Sequence, residues 1–131
     1  MARFSIAVYA PPQTNQTSFS AWQFAQSVLA QGHELYRVFF YMDGVHNADS
    51  VITPPQGEPN LVTQWQTLAQ NHGTDLVVCI AAALRRGVLN EEEAKRYRKH
   101  NHNLAEGFSL SGLGQLVEAI ALSDRLIVFG N

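Results

Sequence analysis

The chain has 131 residues, of which 46% are hydrophobic and 15% are charged, and its formal net charge is −2. This length suits one domain (residues 1–131), and the hydrophobic fraction suffices for a buried core, which excludes a disordered chain. The charge excludes a global basic field for gripping nucleic acid, and no apolar stretch reaches the roughly 18 residues of a membrane-spanning helix.

Strand and helix signals alternate along the first half of the chain. The run Phe4–Tyr9 predicts a first strand, and Thr17 or Ser18 is expected to cap an amphipathic helix. The aromatic and β-branched run Tyr36–Tyr41 predicts a second strand. Residues 42–60 are rich in glycine and proline and are expected to form a long irregular segment. Segments of that length are usually functional or lie at an interface.

The second half continues the alternation. A second amphipathic helix is predicted from Leu61, and the apolar run Asp75–Ile80 predicts a third strand. Asn90 is expected to cap a short helix, because its side chain can accept from a backbone N–H of the first turn. The three glutamates that follow Asn90 suit the positive end of that helix.

The last elements complete an α/β pattern. Ser109 or Ser111 is expected to start a final helix, and Arg125–Phe129 predicts a closing strand. A further strand, weakly indicated, has room between residues 97 and 110. This order predicts a three-layer α/β/α fold with a mostly parallel sheet of four to five strands.

Cys79 is the only cysteine, and it falls near the carboxyl end of the third predicted strand. A lone thiol can act as a nucleophile, a persulfide carrier or a redox sensor, and reactive groups gather at the carboxyl ends of parallel strands. Buried cysteines also serve as inert filler, so the residue itself leaves both interpretations open. A free thiol is typical of a reducing, cytoplasmic location.

Two other motifs carry weaker signals. Gly112 and Gly114 begin like a dinucleotide-binding fingerprint, but Val117 stands at the third glycine position, so a tight helix entry is the favoured interpretation. His100 and His102 have no third ligand at a recognisable spacing, so a solvated polar loop is favoured over a metal site.

A basic cluster, called the basic run here, consists of Lys95, Arg96, Arg98 and Lys99. It is either a solvated helix face balanced by Glu91–Glu93 or a docking patch for an acidic partner. Arg85 and Arg86 follow Cys79 closely, and their charges can favour its thiolate. We therefore expect Cys79 to be at least partly accessible and more reactive than an ordinary thiol.

The segment Val78–Val88 resembles the active-cysteine segment of the DsrE family of sulfurtransferase subunits, in its TusD-like (TusD/DsrE) branch. The similarity is co-linear over nearly the whole chain. It also includes Phe24–Ala25 and Gly32–Glu34 in the first helix and at its exit. Further matches are Val38–Tyr41 in the second strand, Asp43–Val45 and Asn47 in the loop after it, and Ser111–Ala119 with Asp124–Arg125 near the end.

The resemblance implies a DsrE/flavodoxin-like fold without a cofactor, and a persulfide relay in which Cys79 accepts sulfane sulfur. It implies TusB-like and TusC-like subunits in a heterohexamer, a TusA-like sulfur donor and a TusE-like acceptor. The sulfur would reach the 2-position of the tRNA wobble uridine, or serve sulfur oxidation in the DsrE branch. Neither membrane attachment nor direct nucleic acid contact is expected.

Assembly is expected to involve a segment with few charges: Phe39, Tyr41 and residues 42–60 are predicted to form subunit contacts. Two rival functions remain beside the relay. The chain can be a non-catalytic assembly subunit in which Cys79 is filler. It can also be a small-molecule thiol enzyme, although the chain has no second cysteine to resolve an oxidised first one.

Overall fold

A computed structural model describes residues 1–130 of the chain. Its strands are β1 (Arg3–Val8), β2 (Glu34–Phe40), β3 (Asp75–Cys79), β4 (Phe108–Ser111) and β5 (Arg125–Phe129). Its helices are α1 (Thr17–Ala30), α2 (Leu61–His72), α3 (Ile80–Arg85), α4 (Glu91–Arg96) and α5 (Gly114–Leu122), with a 3₁₀ helix at Met42–Ala48. No helix in this part of the chain combines the length and the apolar content that crossing a bilayer requires.

The strands form one sheet in the order β4-β3-β2-β1-β5, and each neighbouring pair is parallel. The predicted α/β fold with a parallel sheet is therefore confirmed. Helical crossovers between parallel strands place helices on the sheet faces, which is why the strands are rich in apolar residues.

Alternation along β2 identifies the two faces of the sheet. The guanidinium of Arg37 donates to the carbonyl of Gln115 in α5 at 2.8 Å, so Arg37 and, two residues on, Phe39 face α5. Phe40 faces the opposite side, where its ring centroid lies 5.4 Å from that of Trp65 in α2. Phe24 of α1 contacts Phe4 on that same side, at 6.0 Å between centroids. Helices α1 and α2 thus cover one face, and α5 covers the other.

A buried polar network centred on Asn47 joins the 3₁₀ helix to the β1–α1 connection and to α2. The Asn47 amide donates to the carbonyls of Gly44 at 3.0 Å and Ala10 at 3.3 Å, and to the Ser18 hydroxyl at 3.2 Å. Its oxygen accepts from the Trp65 indole N–H at 3.1 Å. Because buried polar groups are costly when unpaired, this network specifies one arrangement of the 3₁₀ helix, α1 and α2.

Two predicted helix starts have different outcomes. Thr17 and Ser18 do not cap α1; Gln16 occupies the N-cap position without a side-chain bond, and the Ser18 hydroxyl donates instead to the buried carbonyl of Ala10 at 2.7 Å. The cap prediction was wrong because that buried acceptor draws the hydroxyl inward. Asn90 does cap α4, since its side chain accepts from the N–H of Glu93 at 2.9 Å.

Ser109 and Ser111 do not start the last helix. They belong to β4, which is the additional strand and extends one residue past the 97–110 window, while α5 begins at Gly114. The sequence signal for this strand is weak because it is a short edge strand whose serines interrupt the apolar run.

The segment 42–60 is not wholly irregular, because residues Met42–Ala48 form a 3₁₀ helix. Gly44 permits its close approach to β1: a Cβ at this position would lie 2.0 Å from the carbonyl oxygen of Val8. Only glycine fits at such a distance from the backbone, so the turn after β2 depends on Gly44.

Candidate functional site

Cys79 is the last residue of β3, and α3 begins at the next residue. Its side chain is 2% exposed and belongs to the buried core. The expectation of partial accessibility is therefore wrong for the isolated chain. Burial protects the thiol from small oxidants, and it also means that a reaction partner reaches the sulfur only if neighbouring segments move.

The register between β3 and β4 places Cys79 opposite Ser111, and Val77 opposite Ser109. Val77 in turn pairs with Phe39 of β2, on the face that α5 covers. Because side chains alternate along a strand, the Cys79 side chain projects from that same face. The sulfur therefore lies on the α5 side of the sheet, at the carboxyl end of two adjacent strands.

Arg86 is committed to an ion pair. Its Nε donates to Asp43 Oδ1 at 2.7 Å, and its Nη1 donates to the carbonyl of Ala82 at 3.2 Å. The hydrogen bond from Arg86 holds the pKa of the Asp43 carboxyl below its ordinary value. The side chain expected to act on Cys79 is thus directed toward the 3₁₀ helix after β2.

The basic run divides into two halves. Lys95 pairs with Glu91 at 3.2 Å, and Arg96 pairs with Glu93 at 3.0 Å, both along α4. This half matches the interpretation as a solvated helix face. Arg98 and Lys99 follow the helix and form no ion pair within residues 1–130.

A shallow surface groove of about 630 Å³ brings Arg85 together with Tyr97 and Lys99. Leu84 and Leu89 supply part of its apolar floor. Arg85 is exposed and forms no ion pair with a described residue, in contrast to its neighbour Arg86. The structure therefore joins part of the basic run to the segment after Cys79, although Cys79 itself does not line this groove.

Arg37 holds α5 against the sheet. The guanidinium is buried and pairs with Asp75 at 2.8 Å and with Glu118 of α5 at 3.0 Å. Burial acts to lower the pKa of Arg37, but the hydrogen bonds to these two carboxylates outweigh it and raise that pKa. The sequence signal for Arg37 is weak, since it is only a lone charge within an apolar strand.

The predicted contact residue Phe39 is fully buried, with its ring against Tyr41, so its assignment to a subunit contact was wrong. Its place on the inner side of β2 removes it from any partner. Within the predicted segment 42–60, Met42 and Val51 are exposed at 43% and 68%, and further exposed apolar side chains lie on the outer face of α5 and on edge strand β5. This α5 surface comprises Leu113, Val117, Ile120 and Val128, which are 46%, 64%, 51% and 51% exposed.

No group of three or more His, Cys, Asp or Glu side chains within residues 1–130 is arranged to hold a metal ion. The reactive group that the structure places at the carboxyl end of β3 is the thiol of Cys79. A thiolate at this position can attack sulfane sulfur without a general base, because sulfur is a good leaving group.

Comparison with known proteins finds relatives that cover almost the whole chain. The DsrE/DsrF-like family matches residues 2–129. A protein named DsrE from Allochromatium vinosum is 48% identical over 98% of this chain and 99% of its own length. A sulfurtransferase TusD from Klebsiella pneumoniae is 50% identical over 97% of this chain and 99% of its own length.

Solved structures with the same fold include a bacterial protein. The ychN protein of E. coli superposes with a TM-score of 0.77 at 17% identity, covering 98% of this chain and 100% of that one. The predicted family, its fold and its sulfurtransferase class are therefore confirmed. This chain belongs to the DsrE/DsrF-like family.

Proposed function

We propose that this chain is the persulfide-carrying subunit of a sulfur relay and that Cys79 holds the sulfur. The supporting observation is the position of the chain's only thiol at the carboxyl edge of a parallel sheet, where reactive groups are commonly placed. Relatives named TusD and DsrE, at about half identity over almost the full length, support the same chemistry.

The transfer step is a displacement at sulfur. The Cys79 thiolate attacks the outer sulfur of a donor persulfide, a new S–S bond forms on Cys79, and the donor cysteine leaves as a thiolate. In the second step an acceptor thiolate attacks the outer sulfur on Cys79, which leaves as a thiolate in its turn. Both steps conserve electrons, so neither requires an added oxidant or a cofactor.

The relay that we propose takes sulfur from a TusA-like carrier and delivers it to a TusE-like acceptor in the cytoplasm. TusB-like and TusC-like subunits would complete a heterohexamer, and the sulfur would reach the wobble uridine of tRNA. The chain would act as one domain. The α5 surface supports this assembly, because several exposed apolar side chains on one helix and the strand beside it are typical of subunit contacts. The DsrE name of one relative supports sulfur oxidation as the alternative destination.

Burial of Cys79 favours a second candidate, a non-catalytic assembly subunit, because inert cysteines are commonly buried. Mass spectrometry of the intact protein separates the two functions. The protein is incubated with a persulfide-loaded TusA-like carrier, alone and together with TusB-like and TusC-like subunits.

A gain of one sulfur atom on the wild-type chain, absent from Cys79→Ser, supports the relay. Loss of that sulfur on addition of a TusE-like protein supports the second step. An unmodified chain in the complete complex would instead support the assembly role.

A further inference from the structure

The partner of Cys79 in the sheet is a serine whose hydroxyl is uncommitted. Cys79 and Ser111 form the last residue pair of the β3–β4 ladder. Paired residues on adjacent strands lie about 4.8 Å apart and project their side chains from the same face. The Ser111 hydroxyl makes no hydrogen bond with any of residues 1–130, and the residue is half-buried at the sheet edge.

The other serine on this strand, Ser109, provides an internal comparison. Ser109 projects from the same face but pairs with Val77, two pairs earlier in the ladder. Two residues along a strand correspond to about 6.6 Å, so the Ser109 hydroxyl is well separated from the sulfur. Ser111 is thus the serine of β4 that the register places beside Cys79.

A hydroxyl at this position suits a sulfur that carries negative charge. The thiolate of Cys79 is an anion, and its persulfide extends the side chain by one S–S bond of about 2.05 Å. Donors to an anionic acceptor form stronger hydrogen bonds than neutral pairs do. A serine hydroxyl can rotate to follow the charge from the inner sulfur to the outer one, since its hydrogen is free to turn about the C–O bond.

We infer that Ser111 donates a hydrogen bond to the sulfur of Cys79 when that sulfur is a thiolate or a persulfide. This inference rests on the proposed function for its role in transfer. The hydrogen bond stabilises the anion that attacks the donor, and later the anion that leaves when the acceptor takes the outer sulfur. Ser111 is a partner of the reacting atom, and no covalent bond to it forms or breaks.

Titration of Cys79 by NMR tests the inference without any sulfur donor. The chain has one cysteine, so labelling cysteine with ¹³C at Cβ yields one signal whose shift follows thiol ionisation. Loss of a hydrogen bond to the anion should move the titration midpoint of Ser111→Ala upward by roughly one pH unit relative to wild type. Ser111→Thr, which retains a hydroxyl, should restore the wild-type midpoint, and Ser109→Ala should leave it unchanged.

Ser111→Gly serves as a second variant in case alanine disturbs the edge strand. Equal midpoints for wild type, Ser111→Ala and Ser111→Gly would overturn the inference, as would an equal shift in Ser109→Ala. Failure of the relay itself has a different signature: wild-type protein would then gain no sulfur from a loaded carrier, while the Ser111 variants still differed in titration. If the relay and the Ser111 hydrogen bond are both correct, Ser111→Ala should also release its persulfide sulfur to an acceptor more slowly than Ser109→Ala does.

Discussion

Arg86 donates to Asp43 at 2.7 Å and thereby joins the end of α3 to the 3₁₀ helix that follows β2. The two segments extend from adjacent strands of the sheet, and α3 begins directly after Cys79. The ion pair therefore holds α3 and the 3₁₀ helix together at the carboxyl edge of the sheet, where the thiol is buried. Access to the sulfur should depend on how firmly these segments are held.

We predict that Arg86→Gln increases the rate at which iodoacetamide labels Cys79 by several-fold. Loss of the ion pair lowers the cost of local opening, and a buried thiol reacts only from the open state. Mass spectrometry of timed samples measures the rate.

Arg85→Gln is the matched control, because it removes the same charge at the neighbouring position. The Arg85 side chain is exposed and forms no ion pair with a described residue. It should label at the wild-type rate. A slower reaction in Arg86→Gln would indicate that Arg86 activates the thiolate, and equal rates in all three proteins would contradict its closing role.

The same ion pair should make stability depend on pH in the acid range. The pKa of Asp43 is lowered in the folded state, so its stabilising effect is fully present above the ordinary carboxyl value of about 4. That effect is lost as the pH falls through the lowered folded-state pKa. The difference in melting temperature between wild type and Asp43→Asn should therefore be constant near neutral pH and shrink below about pH 4. A difference that persists undiminished in acid would contradict this.

Asn47→Ala should lower the free energy of unfolding by about 2–4 kcal/mol, since it leaves the Trp65 N–H and the Ala10 carbonyl with fewer partners in the core. Urea denaturation followed by tryptophan fluorescence measures the loss. Asn71→Ala, an exposed substitution on α2, should change stability by less than about 0.5 kcal/mol. Similar losses in both variants would show that the buried network is not the cause.

The two halves of the basic run should contribute differently to carrier docking. We predict that reversing Arg98 and Lys99 to glutamate slows sulfur transfer from an acidic carrier, because these charges are free of intrahelical partners. Reversing Lys95 and Arg96 should have a smaller effect, since both are already paired with α4 glutamates. Stopped-flow transfer rates at low and high salt measure the effect, which salt should weaken.

Iodoacetamide labelling of Cys79 serves as the control for these charge reversals, and its rate should stay at the wild-type value in every variant. Equal transfer rates for all variants at low salt would remove the docking role and leave the role of the thiol untouched.

Val117→Glu should prevent assembly with TusB-like and TusC-like subunits while leaving the fold intact, because this side chain is exposed in the isolated chain. A buried charge without a partner strongly disfavours an interface. Light scattering of the mixed subunits gives the mass of the complex, and Gln70→Glu on the opposite layer is the control. A full-size complex from Val117→Glu would exclude the α5 surface as the contact.

The sequence by itself determined those features that depend only on neighbouring residues along the chain. The alternation of apolar runs with amphipathic segments predicted the parallel sheet, and the Asn90 cap followed from its distance to Glu93 along one turn. The position of Cys79 at the end of β3 was also predicted, because a strand needs only its own apolar run to be recognised. The resemblance to the family added the sulfur chemistry.

Tertiary structure alone decided what surrounds the thiol. Two of these features join residues more than 30 positions apart: the pairing of Cys79 with Ser111 and the contact of Arg86 with Asp43. The third, the burial of Cys79, depends on the layers packed over the sheet. The serines of β4 carry no strand signal of their own, because strand pairing rather than residue propensity stabilises this edge strand. A one-dimensional pattern carries no register between strands, and it is register that places Ser111 rather than Ser109 beside the sulfur.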